Sequence, residues 1–159
     1  MAAESGGGGQ WLIQLLGLGV GWFVVHHLSA KRDHEKARKD LIVKSVDGLY
    51  DGMNTLLSDA RTYHTSERAV GSELKLKIAL QDLLMRLNGL SDLGVATEQL
   101  APCRKSLGRA RQAITGLHFE DEHEGSISEN SPQVQDICDV ILKTKRELLN
   151  IKHRQFKSS

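Results

Sequence analysis

The sequence predicts an all-α protein in which one N-terminal transmembrane helix precedes an antiparallel bundle of about four helices. Three observations support this prediction. Residues 11–28 form an apolar run that contains no Asp, Glu, Lys or Arg. Beyond residue 35, apolar residues recur every three or four positions in four separate stretches, which is the spacing of one face of an α-helix. No stretch shows the alternation with a period of two that would indicate a competing strand.

The apolar run is long enough to predict a membrane-spanning helix over residues 11–29. At about 1.5 Å per residue, roughly 18 to 20 helical residues cover about 27–30 Å, close to the hydrocarbon thickness of a bilayer. Basic residues follow the run and orient it, since they concentrate on the cytoplasmic side of a span. The sequence therefore predicts a single-pass protein of the cell (inner) membrane, with residues 1–10 as an extracytoplasmic tail and residues 30–159 in the cytoplasm.

Two other interpretations of the run stay open. A cleaved signal peptide carries its basic residues before the apolar run, whereas here they come after it. The second alternative is a buried core helix of a protein without a membrane span. The short length of the run and the presence of Gln14 inside it favour this alternative. The membrane-spanning helix is the preferred interpretation.

Four stretches after the run predict amphipathic helices with a spacing near the 3.5-residue period of coiled coils and bundle seams. The first and second carry the following apolar stripes: Ile42, Val46, Leu49, Met53, Leu56, Ala60 and Tyr63; then Leu76, Leu80, Leu83, Leu87 and Leu90, with Ile78 and Leu84 widening the face. The third and fourth carry these: Leu93, Ala96, Leu100, Cys103, Leu107, Ala110, Ile114 and Leu117; then Ile137, Ile141, Thr144, Leu148 and Ile151. Turn signals between the stretches favour a bundle over one long coiled coil.

The breaks between the predicted helices have recognisable residues. Residues 64–66 offer a turn, and residues 88–94 contain two glycines. Residues 119–132 form an acidic loop that ends in Ser131 and Pro132, a pair suited to the N-cap and first turn of a helix. Pro102 predicts either that the third helix begins near Ala101 or that it is kinked there.

One face of the predicted membrane helix is suited to helix association. Gln14, Gly17 and Gly21 lie three and four positions apart, so they share one side of the helix. The two glycines allow close approach of two backbones, and the glutamine can form a hydrogen bond across the contact. We expect a homo-oligomer or a membrane-protein partner through this face; a glycine-rich span without an interface is the alternative.

A basic cluster follows the run and comprises Lys31, Arg32, Lys36, Arg38 and Lys39. These charges are suited to contact with anionic lipid at a membrane surface. The alternative is that the basic cluster only sets the orientation of the chain in the membrane. Carboxylates are interspersed among the basic residues, and they weaken the prediction of a specific lipid site.

The residues expected for catalysis or metal binding are missing or misplaced. Asp47 to Gly52 resembles the start of a calcium loop, but Leu49 and Ser58 occupy positions where oxygen ligands are required. Gly48 and Gly52 therefore predict a hinge or a place where another helix packs closely. The one Glu-x-x-His motif lies in the acidic loop, away from the seams where a bundle di-metal site needs its ligands. We predict no enzymatic activity, no metal and no cofactor.

The overall charge gives no strong attraction to nucleic acid, since the formal net charge is +1. The third stretch has a basic face, formed by Arg104, Lys105, Arg109 and Arg111, but aromatic residues for base stacking are absent. We expect this face to pair with the acidic loop. Cys103 and Cys138 are interpreted as free thiols, small buried hydrophobes in a reduced compartment.

These features predict a membrane-anchored, self-associating, non-enzymatic interaction or scaffold module. The alternative is a small membrane-acting effector, of the toxin or defence type, that perturbs the bilayer on assembly.

Overall fold

A computed structural model of the chain describes residues 8–66, 71–116, 119 and 126–157, and for residues 8–25, Leu28 and Lys157 it describes the helical backbone alone. The described residues form four α-helices and no strand. The helices are α1 Gly8–Thr65, α2 Ser72–Gly89, α3 Thr97–Thr115 and α4 Pro132–Lys157. The all-α class and the four-helix count are confirmed.

The chain divides into two compact units, Met1–Lys39 and Asp40–Ser159. The first unit contains the beginning of α1. The second contains the remainder of α1 together with α2, α3 and α4, and it forms the helical bundle.

The predicted location in a membrane is wrong. Across the described part of the chain, no helix combines the length and the apolar character needed to cross a bilayer. This finding overturns the single-pass location in the cell membrane, with its outer N-terminus and cytoplasmic C-terminus. Within the apolar run the structure describes two side chains, His26 and His27, and both are polar and exposed, which opposes burial in hydrocarbon.

The core of the bundle is built from the four predicted seams. Every apolar residue of the first seam is buried, from Ile42 to Tyr63, and so is every residue of the fourth, from Ile137 to Ile151. Burial of this continuous apolar surface is the main favourable free energy of a bundle. The seam prediction is wrong at Ala96, Ile78 and Leu84, which are exposed.

Side-chain contacts show the direction of α2 and of α4 relative to α1. Between α1 and α2, Asp59 pairs with Lys75 at 2.7 Å, and about two turns earlier in α1 Gly52 lies against Leu83. The residue numbers therefore fall along α1 as they rise along α2. Between α1 and α4, the Nζ atoms of two α4 lysines each lie 2.6 Å from an α1 oxygen in the pairs Asp47–Lys152 and Asn54–Lys145.

The helix boundaries follow local chemistry. Ser131 caps α4 as predicted, because its hydroxyl oxygen accepts a hydrogen bond from the Val134 N–H at 3.3 Å. Gly71 precedes α2 with φ of 83°, a left-handed conformation that favours glycine. The α3 helix begins at Thr97, so the predicted start near Ala101 is wrong, and Pro102 lies inside the helix on an exposed position, as the other alternative requires. There the proline removes one backbone hydrogen bond.

Gly48 and Gly52 lie inside α1, and only one of them meets another helix. A Cβ atom at Gly52 would lie 2.6 Å from Cδ2 of the buried Leu83, whereas a Cβ atom at Gly48 would meet nothing within 4 Å. The close-packing interpretation is therefore confirmed at Gly52 and is wrong at Gly48.

This difference predicts opposite responses to alanine. Gly48→Ala is expected to raise the free energy of unfolding by about 0.5–1 kcal/mol, because alanine has the higher helix propensity and open space around it. Gly52→Ala is expected to be less stable than Gly48→Ala by about 1 kcal/mol or more, because Leu83 must move. Urea unfolding followed by circular dichroism measures both values, and equal stabilities would contradict the contact.

Candidate functional site

The structure does not test the residues predicted to associate in a membrane. For Gln14, Gly17 and Gly21 it describes the helical backbone alone. In the basic cluster, Lys31, Arg32, Lys36 and Arg38 are exposed and Lys39 is half-buried. Helix association and lipid contact at these positions therefore stay predictions.

The described part of the bundle contains a groove between α2 and α3, which we call the α2–α3 groove. Its volume is about 480 Å³, within the range of ligand-binding clefts. The lining residues come from two helical faces: Lys77, Leu80, Gln81 and Leu84 from α2; Arg104, Leu107, Gly108, Arg111 and Thr115 from α3. Their spacing of three and four residues places each set on one side of its helix.

The floor of the groove is apolar. Leu80 and Leu107 are buried in the core and present part of their surface to the groove, and Leu84 is 39% exposed. Gly108 leaves the groove open, because a Cβ atom at this position would meet nothing within 4 Å. An open apolar floor of this kind can receive an apolar side chain of another molecule.

The rim of the groove is positively charged. Lys77, Arg104 and Arg111 line it, and no Asp or Glu does. Two of these cations contact neutral side chains. The Nε of Arg104 donates a hydrogen bond to the amide oxygen of Asn88 at 2.9 Å, and the Nζ of Lys77 lies 5.5 Å from the ring centroid of Phe119.

Four cations elsewhere in the described bundle form ion pairs with carboxylates: Arg61 with Glu129, Lys75 with Asp59, Arg86 with Asp82 and Lys152 with Asp47. Among the residues that the structure describes, no carboxylate forms an ion pair with Arg104 or Arg111. The groove is therefore lined by cations and by no carboxylate.

The apolar surface continues from the groove onto the outer side of α2. Ile78 is 58% exposed and Met85 is 62% exposed, next to the lining residues Lys77 and Leu84. Contiguous exposed apolar surface beside a recess is typical of a protein interaction site. The sequence contains a signal of this surface, because Ile78 and Leu84 widen the apolar face of α2 beyond the width of its seam.

The basic face of α3 lies partly in the groove and partly on the exposed surface. Arg104 and Arg111 line the groove, and Lys105 and Arg109 are exposed. The described acidic residue of the 119–132 loop, Glu129, pairs with Arg61 of α1 at 3.4 Å. Residues 120–125 of this loop lie outside the described residues, so pairing between them and α3 stays a prediction.

The end of the bundle beside the groove is held by contacts of His64 and Tyr63. The Nε2–H of His64, which is buried, donates a hydrogen bond to the carbonyl oxygen of Ile114 at 3.1 Å. The Tyr63 ring lies 5.2 Å from that of Phe119, and the carbonyl oxygen of His64 accepts a hydrogen bond from the Ile127 N–H. These contacts tie the end of α1 to the end of α3 and position Phe119 beneath Lys77.

The cysteines are free thiols, as predicted, and Cys103 is buried whereas Cys138 is half-buried. Burial, and secondarily the charge of Glu147, raises the pKa of the Cys103 thiol from 9.0 to about 12. The thiol is therefore protonated at neutral pH and is a poor nucleophile. Within the described residues, no group of three or more His, Cys, Asp or Glu side chains is placed to hold a metal ion.

Comparison with known proteins does not extend this description. No protein-family model, curated protein or solved structure matches the chain. The groove and its charges are therefore the basis for a functional conclusion.

Proposed function

We propose that this protein is a non-enzymatic interaction or scaffold module, an antiparallel four-helix bundle that binds a helical segment of a partner protein in the α2–α3 groove. One observation carries the proposal: three cations and no carboxylate surround an apolar floor that is open at Gly108. The order of contacts between α1 and its neighbours α2 and α4 supports the antiparallel arrangement.

The shape of the groove favours a helix as its occupant. Two neighbouring helices form its walls, and a third amphipathic helix can lay its apolar side chains between them. Arg104 and Arg111 are seven residues apart, so they stand about 10.5 Å, or two helical turns, from each other along α3. Carboxylates at a similar separation on the bound helix would meet both guanidinium groups.

Affinity and orientation come from different parts of this arrangement. Burial of apolar side chains on Leu80, Leu84 and Leu107 supplies most of the binding free energy. Exposed ion pairs contribute only about 0–1 kcal/mol each. Their main effect is to accelerate association and to select acidic partners over basic ones.

Nucleic acid is the other polyanion that such charges could attract. Stacking of bases requires aromatic side chains, and none of the groove-lining residues is aromatic. The leucine floor matches apolar side chains of a protein instead.

Substitution of Gly108 tests the groove directly. A fluorescein-labelled amphipathic peptide, with leucines at positions i, i+4 and i+7 and glutamates on both flanks, is titrated with the protein and followed by fluorescence anisotropy. Gly108→Leu is expected to weaken binding at least about tenfold, because the new side chain occupies the groove. Gly48→Leu is the matched control, since Gly48 is also a helical glycine with open space but lies on α1.

Both substitutions replace a glycine inside a helix with a better helix former, so lost binding would not reflect unfolding. A peptide with glutamines in place of glutamates measures the contribution of charge, which we expect to be about two- to fivefold per lost ion pair. Equal binding by the Gly108 and Gly48 variants would contradict the groove. Displacement of the peptide by a single-stranded oligonucleotide that itself binds more tightly would favour a nucleic-acid function.

A further inference from the structure

The two walls of the α2–α3 groove are matched along their length. The hydrogen bond from Arg104 to Asn88 joins the walls near the short connection between the two helices, residues 90–96. Consecutive helices joined by so short a connection run antiparallel, so α2 leads away from this contact backwards and α3 leads away from it forwards. Leu84 and Gly108 are each four residues from the contact, so they lie opposite each other, about 6 Å along the groove.

Two further pairs of lining residues lie opposite each other in the same way. Gln81 and Arg111 are each seven residues from the contact, and Lys77 and Thr115 are each eleven residues from it. Residues at offsets of four, seven and eleven share one side of a helix. Beyond the contact, the groove therefore has three levels, and the second and third each carry a cation.

The first of these levels is apolar on both walls and has room for a side chain. Leu84 is 39% exposed, so part of its surface is open to another molecule. A Cβ atom at Gly108 would meet nothing within 4 Å, and its neighbour Leu107 lines the groove beside it. We call this opening the Leu84–Gly108 pocket.

We propose that the Leu84–Gly108 pocket receives one large apolar side chain of the acidic partner helix, and that carboxylates four and three residues from this side chain pair with Arg104 and Arg111. The inference rests on the proposed function and deepens it, because it assigns the register of the bound helix. Arg104 lies four residues before Gly108, about 6 Å along α3, and Arg111 lies three residues after it, about 4.5 Å along α3.

A helix that lies along the groove has the same rise per residue as α3. Its residues at three and four positions from the apolar side chain share one side with it, so their carboxylates face the groove at the heights of the two arginines. Asn88 accepts its hydrogen bond from the Nε of Arg104, and the Nη atoms of this guanidinium are the ones that a carboxylate would meet.

A shift of the bound helix by one turn is unfavourable at both kinds of level. It would place a carboxylate over Leu84, where no cation lies opposite. It would also place the large apolar side chain over Arg111, where it would displace water from the guanidinium group without replacing the lost hydrogen bonds. The alternation of an apolar level with charged ones therefore selects a single register.

An exchange of side-chain size tests the pocket in the full-length protein. Two fluorescein-labelled helical peptides share one sequence based on alanine and glutamine, with glutamates three and four residues to either side of a central position. These glutamates serve either direction of binding, and the central residue is tryptophan in one peptide and alanine in the other. By fluorescence anisotropy, the parent protein is expected to bind the tryptophan peptide at least about tenfold more tightly than the alanine peptide.

Gly108→Leu is expected to reduce this preference for tryptophan to within about twofold, because the new leucine fills the pocket. Gly48→Leu is the matched control and is expected to keep the full preference, since Gly48 also has open space around it but lies on α1. Both substitutions replace a helical glycine with a better helix former, so the fold is retained, and thermal unfolding of each variant checks this.

An exchange of charge tests the positions of the carboxylates. Arg111→Glu is expected to weaken binding of the tryptophan peptide about two- to fivefold, and a peptide with lysines at the positions three residues from tryptophan is expected to recover this loss. Arg109→Glu is the matched control, because it makes the same change of charge at an exposed position that does not line the groove. Its affinities for the two peptides are expected to keep the ratio that the parent protein shows.

The outcomes separate this inference from the proposed function. If Gly108→Leu weakens the tryptophan and alanine peptides equally, a helix occupies the groove but the pocket does not set its register, and the inference is wrong. The same holds if the parent protein binds the two peptides with equal affinity, or if lysines fail to rescue Arg111→Glu. If the parent protein binds neither peptide, the proposed function fails together with the inference.

Discussion

Truncation of Leu148 to alanine is expected to cost about 2–5 kcal/mol of the free energy of unfolding, whereas truncation of its neighbour Leu149 is expected to cost less than about 1 kcal/mol. Leu148 is 1% exposed in the core, and Leu149 is 37% exposed on the outer side of the same helix. The first substitution removes buried methyl groups and leaves a cavity, because the surrounding side chains relax only in part.

Urea unfolding at neutral pH, fitted to a two-state transition, measures both values. The two variants share the same chemical change and the same helix propensity cost, so each is the control for the other. Similar losses in the two variants would mean that α4 is not seated in the bundle through this face. A larger loss for Leu149 would mean that the register of α4 is shifted.

Cys103 is expected to react with a disulfide reagent at least about 1,000 times more slowly in the folded protein than in the urea-unfolded chain at pH near 8. Burial and the charge of Glu147 raise the pKa of this thiol from 9.0 to about 12. Each unit lowers the thiolate fraction about tenfold, and the thiolate is the reacting species. The Cys138→Ser variant leaves Cys103 as the only thiol, and the absorbance of the released thionitrobenzoate follows the reaction.

The raised pKa also gives stability a pH dependence with a definite sign. Below pH of about 9 the thiol is protonated in both the folded and the unfolded chain, so its contribution is fully present. As the pH rises from about 9 towards about 12, the unfolded chain loses the proton while the folded chain retains it, so stability falls. Cys103→Ala is expected to remove this part of the pH dependence. If the free energy of unfolding falls with pH equally steeply in Cys103→Ala and in the parent protein, the assignment of this pH dependence to Cys103 is wrong.

The bundle was predictable because its core follows helical periodicity. The residues of the first and fourth seams are all buried as predicted, since a spacing of three and four residues leaves a helix one apolar side to bury. The N-cap at Ser131 was predictable for a local reason, because its hydroxyl satisfies a nearby backbone N–H.

The predictions that failed concern residues whose environment depends on a distant element. The stripe pattern placed Leu84 in the core, but the packing of α3 leaves it beside the groove. Gly48 and Gly52 are equivalent in sequence, and only the path of α2 distinguishes them, because Leu83 meets one and not the other. The apolar run predicted a membrane span, and no helix in the described ranges meets the requirements for one.

The sequence by itself determined that this protein is helical, where α4 begins and which apolar residues form most of its core, because these properties depend on neighbours within a few positions. Only the tertiary structure decided that Lys77 of α2 lines the same groove as Arg104 and Arg111 of α3. It also decided which apolar residues are left outside the core. The physical reason is that a recess and its electrostatic field arise between two helices whose residues are far apart in the chain. Local periodicity describes one helix at a time and does not say how two helices pack against each other.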